Sequence, residues 1–72
     1  MTDRAAASAA KSSLAAQLSA EPSVVGIGLA RRRDTGYVVK VNLADASAAS
    51  RVPPNVDGVR VVTEVIGVVR PF

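Results

Sequence analysis

The chain has 72 residues, a formal charge of +3 and 49% hydrophobic residues, with one tyrosine, one phenylalanine, no cysteine and no histidine. That length admits one domain, and its core has to be assembled from alanine and valine because large side chains are few. Lacking cysteine, it has no disulfide and no thiolate nucleophile; lacking histidine, it has no common general base or metal ligand, so most catalytic and metal-centred readings fall away.

Residues 3–20 predict a helix. Alanine and leucine are strong helix formers, Thr2 or Asp3 can accept a hydrogen bond from the free amides of the first turn, and Asp3 suits the positive end of the helix dipole. Pro22 is expected to end it. Ala6, Ala7, Ala10, Leu14 and Leu18 share one stripe, with Ser8, Ser12 and Ser19 turned away. Only Leu14 and Leu18 in that stripe are large, so the helix must pack closely. The alanine-rich start is broken by Ser8 and Lys11 and lacks the apolar run of a signal peptide. No stretch approaches the roughly 20 apolar residues that cross a bilayer. A soluble, cytoplasmic protein with no membrane partner is expected.

From Ser23 the period changes to two. The first strand, 23–32, places Val25, Ile27 and Leu29 on one face and Val24, Gly26, Gly28 and Ala30 on the other. Arg31-Arg32-Arg33 then lead into Asp34-Thr35-Gly36, a short loop whose glycine can close a hairpin. In the second strand, 37–43, Tyr37, Val39, Val41 and Leu43 alternate with Val38, Lys40 and Asn42. Asp45 can cap a short helical turn over 45–50, which Pro53 and Pro54 end. Asp57-Gly58 supplies a tight turn into the last strand, 59–69, the longest β-branched run of the chain. Its Val59, Val61, Thr63, Val65 and Val69 share one face.

These elements predict an α+β fold: an N-terminal helix packed on a three-stranded, mostly antiparallel sheet, in the order helix, strand, strand, short helix, strand. The glycine-bearing strand is expected in the middle. Val25, Ile27 and Leu29, with Tyr37, Val39, Val41 and Leu43, should meet Leu14 and Leu18. The opposite face is partly apolar, through Gly26, Gly28, Val38, Val62, Ile66 and Val68, and one helix cannot cover both faces. Large exposed apolar patches mark interfaces. Self-association is therefore expected, with Gly26, Gly28, Val62, Ile66 and Val68 as interface candidates.

The short motifs carry little chemistry. Gly26-Ile27-Gly28 lacks the third glycine and the following helix of a dinucleotide-binding loop, so the glycines are read as permitting close approach to a strand. Arg31, Arg32 and Arg33 are candidates for an anionic partner, and Lys40, Arg51, Arg60 and Arg70 could extend their patch. No aromatic platform accompanies them, since Tyr37 belongs to the core face. The serines have no activating partner, Asp34, Asp45 and Asp57 have turn or cap roles, and Glu64 is expected to pair across strands with Lys40 or Arg60. No catalytic residue, cofactor site or metal site is expected.

The stretch Val52-Pro53-Pro54-Asn55-Val56-Asp57-Gly58-Val59-Arg60-Val61, taken with Val24-Val25-Gly26-Ile27-Gly28 and Gly36-Tyr37-Val38-Val39, resembles the short module that precedes the catalytic domain in some bacterial trypsin-like serine peptidases. The likeness covers about residues 23–66. The chain departs from it by carrying Arg31-Arg32-Arg33, and, because it ends at Phe72 before a catalytic domain could begin, it is expected to stand alone. The resemblance implies an accessory or interaction module and no peptidase activity. The expected function is a non-enzymatic, self-associating protein-interaction module, such as a scaffold, adaptor or regulator. The alternative is a nucleic-acid-associated protein using Arg31–Arg33.

Overall fold

The alanine-rich stretch forms its helix under a single well-placed cap. In the computed structural model, which describes residues 2–66, α1 runs Arg4–Gln17. The Asp3 carboxylate accepts from the Ala6 amide at 2.8 Å, satisfying a donor that the first turn leaves free. At the other end Leu18 has already left helical geometry, and the Ser19 hydroxyl donates to the Ala16 carbonyl at 3.1 Å. The helix thus ends ahead of Pro22, where a serine competes for the backbone, and is shorter than the expected 3–20. Ala7, Ala10, Leu14 and Leu18 are buried, as their three- and four-residue spacing requires. Ala6 sits one position round the helix from that stripe and is exposed.

Four strands follow: β1 (Val24–Arg32), β2 (Gly36–Leu43), β3 (Asn55–Val56) and β4 (Val59–Val65), in the spatial order β1-β2-β4-β3. The expected helix-on-sheet α+β arrangement is present, but the sheet has four strands and is mixed. β1 runs antiparallel to β2, whereas β2 and β4 are parallel. Parallel neighbours need a long crossover, and the segment between Leu43 and Val59 supplies it through a 3-10 helix, Ala46–Arg51, and the β3 hairpin. Asp45 caps that 3-10 helix by accepting from the Ser47 amide at 3.0 Å. The Asp57-Gly58 turn has positive φ at both residues, 50° and 79°, the geometry of a two-residue hairpin, and it pairs Asn55-Val56 with Val59-Arg60.

The glycine-bearing strand lies at the edge of the sheet instead of the middle. The central position goes to β2, which carries branched side chains on both faces: Val38, Val39, Val41 and Leu43 are all buried. A second correction concerns β1. Its register slips between Val24 and Gly26, and this bulge turns Val24 inward beside Ile27 and Leu29 while leaving Val25 51% exposed. The strand expected over 59–69 is β4 up to Val65, and the Ile66 amide then donates to the Leu43 carbonyl at 2.9 Å. Residues 67–69 of that expectation, including the interface candidate Val68, lie outside the described residues.

The core occupies one side of the sheet. Ala7, Ala10, Leu14 and Leu18 of α1 pack with Val39, Val41 and Leu43 of β2, Val59 and Val61 of β4, Val56 of β3, and Ala48 and Val52 of the crossover. Thr63 and Val65 continue the inward parity of β4 but are exposed, because the helix layer does not reach them. Among the described residues no helix is long and apolar enough to cross a membrane.

Candidate functional site

The pleat that buries the odd-numbered residues of β2 and β4 sends their even-numbered neighbours to the opposite face. Strand register assembles this face row by row. Gly26 of β1 lies beside Asn42 of β2, which lies beside Glu64 of β4, and the next row is Gly28, Lys40 and Val62. Ala30 stands opposite Val38 in the row after that. Among the described residues no helix or second sheet packs on this face. One side of β1 bonds to β2, and its other edge has no partner strand among the described residues.

The face is smooth along β1 and polar in the centre. A methyl group at Gly28 would meet nothing within 4 Å beyond its chain neighbours, whereas one at Gly26 would stand 3.4 Å from Nδ2 of Asn42. The Asn42 side chain fills the space that Gly26 leaves, and its Oδ1 is buried without a hydrogen-bond partner among the described residues. Lys40 Nζ lies 3.1 Å from Glu64 Oε2, the cross-strand pair expected from the sequence. Both side chains are well exposed, so the pair contributes at most about 1 kcal/mol.

The arginine run does not form one patch. Alternation along the end of β1 sends Arg31 and Arg32 to different sides of the sheet. Arg31 lines a cavity of about 260 Å³ with Thr2, Asp3, Arg4, Gly36 and Tyr37. Arg32 lines another, of about 270 Å³, with Asp34, Thr35, Val38, Arg60 and Val62. Arg33 is exposed in the loop. Of the cations expected to extend the run, Arg60 does join Arg32, but Lys40 is held by Glu64, and Arg51 reaches Glu21 at 3.0 Å on another part of the molecule. Arg70 lies outside the described residues.

Of the interface candidates, Gly26, Gly28 and Val62 share the uncovered face. Ile66 is 49% exposed just beyond β4. Sequence reasoning missed Val25, because strict alternation assigned it to the core and only the bulge exposes it. Arg60 was one of four cations expected to extend the arginine run, and the β1-β2-β4 strand order brings it to Arg32. No family model, curated protein or solved structure matches this chain.

Proposed function

We propose that this chain is a non-enzymatic interaction module that associates with a second copy of itself, using the uncovered sheet face along the free edge of β1, and that it serves as a scaffold, adaptor or regulator. The observation that carries this reading is Gly28. It sits in the nine-residue edge strand β1, faces open space, and is not required by any crowding inside the chain. Glycine weakens a strand interior, so its presence there is explained by something that approaches the backbone from outside. A bare edge offers unpaired backbone groups to another strand, and the smooth surface beside it admits close contact. The likeness to an accessory module ahead of peptidase domains supports the same class of function.

Nucleic-acid association through Arg31–Arg33 has less support, since the pleat divides the first two arginines between opposite faces, and Tyr37, the aromatic beside Arg31, packs against the core instead of standing free for base stacking. The test is Gly28→Val in the full chain. Valine favours the strand and its Cβ would meet nothing within 4 Å beyond its chain neighbours, so the thermal midpoint should hold or rise while sedimentation changes from dimer to monomer. A wild-type chain that sediments as a monomer throughout the micromolar range would overturn the proposal.

A further inference from the structure

We propose that Arg32, Arg60 and Thr35 form a binding site for a small phosphate monoester, in the cavity of about 270 Å³ at the hairpin end of the uncovered face. This inference does not depend on self-association. Val38 and Val62 line the base of the cavity, and Val38 is only 1% exposed although, among the described residues, no second layer covers this side of the sheet. Its remaining lining residues, the two arginines with Asp34 and Thr35, are what shelter it. Arginine stems cover apolar surface while their heads stay polar, which accounts for the burial of Val38.

Stem packing does not account for the state of the two guanidiniums. They line one cavity, and among the described residues neither has a carboxylate oxygen within 4.0 Å, Asp34 included. Lys40 and Arg51, by contrast, each hold a carboxylate. Two unneutralised guanidiniums at one cavity repel each other and favour an anion between them.

The charge count selects the class. A carboxylate is satisfied by one guanidinium fork, whereas a phosphate monoester is close to a dianion at neutral pH and offers oxygens to two forks. The Thr35 hydroxyl adds a neutral donor. Val62, half-buried beside the cavity, can receive an apolar body attached to the phosphate, whereas Val38 is already sealed. Asp34 takes the other role: its carboxylate accepts from a hydroxyl or amine on that body and disfavours a ligand with negative charge on both ends.

The test is titration of the full chain with inorganic phosphate and with phenyl phosphate, followed by amide chemical shifts at low salt. Both should move Arg32, Thr35 and Arg60, with phenyl phosphate the tighter because its ring meets Val62. Arg32→Gln and Arg60→Gln keep most of the stem, and each should weaken binding about tenfold. Arg31→Gln and Arg33→Gln should leave binding unchanged. Arg32→Lys keeps the charge but loses the fork and should fall between wild type and glutamine. Circular dichroism melts of each variant separate lost binding from lost folding. The site is refuted by the absence of saturable shifts, or by Arg31→Gln or Arg33→Gln weakening binding as much as Arg32→Gln. It is equally refuted if a short RNA binds tighter than phenyl phosphate and is released by Arg33→Gln, since that pattern belongs to diffuse backbone attraction.

Discussion

The two faces of the sheet are made by the same three strands and obey different rules. On the covered face every inward position from Val39 to Leu43 is branched and buried, and small alanines on α1 let the helix come close enough to seal them. On the uncovered face the same strands present Gly26, Gly28, Ala30, Val38, Lys40, Asn42, Arg60, Val62 and Glu64, and among them only Val38 is buried like a core residue. Packing selects the first set of residues; contact with something outside the chain is the simplest selection on the second. A small domain cannot afford to leave stability on the table, so glycines in an edge strand and an unpartnered Asn42 oxygen are notable where filled positions were available.

If packing rules the first face, the largest loss should come from Leu14, the one large residue at the centre of the α1 stripe. Leu14→Ala should cost about 3 kcal/mol, enough to unfold most of so small a chain at room temperature, as chemical denaturation would register. Survival of a cooperative melt near the wild-type midpoint would mean that the helix is not sealing the sheet. Next in size is the helix cap, also on the covered side. Asp3→Ala removes the acceptor for the Ala6 amide and should cost about 1 kcal/mol, read from the same denaturation curves. The uncovered face should respond least. Glu64→Gln breaks the exposed Lys40 pair and should change stability by less than about 0.5 kcal/mol, a difference that shrinks further in high salt. A larger loss there would show that the uncovered face contributes to folding in its own right and would blur the contrast between the two.

Much of this fold was legible in the residues. The helix stripe, the alternation of β2, the Asp45 cap, the Asp57-Gly58 turn and the Lys40–Glu64 pair all follow from local chemistry acting over a few positions. What was not legible depends on distant partners or on broken alternation. β3 is two residues long, too short to carry a period, and only its pairing with β4 reveals it. The direction of the β2–β4 pairing is set by how the crossover travels, which side-chain pattern does not encode. Val25 was misplaced because a bulge adds one residue to a strand without any signature in its neighbours. The candidate site divides in the same way. Gly26, Gly28 and Val62 could be assigned to one face by counting, and so could the separation of Arg31 from Arg32 had the alternation been carried past Ala30. Arg60 could be named among four cations near the run, but which of the four meets Arg32 could not, because that depends on strands separated by β2.

The contrast between faces comes down to whether a second copy lies along β1. Hydrogen exchange of the full chain at low and high micromolar concentration reads this directly, with α1 as the internal standard. The account predicts that β1 amides not bonded to β2 become more protected as concentration rises, while α1 amides on the covered side change no more than overall stability requires. Exchange along β1 that is fast and independent of concentration would contradict it.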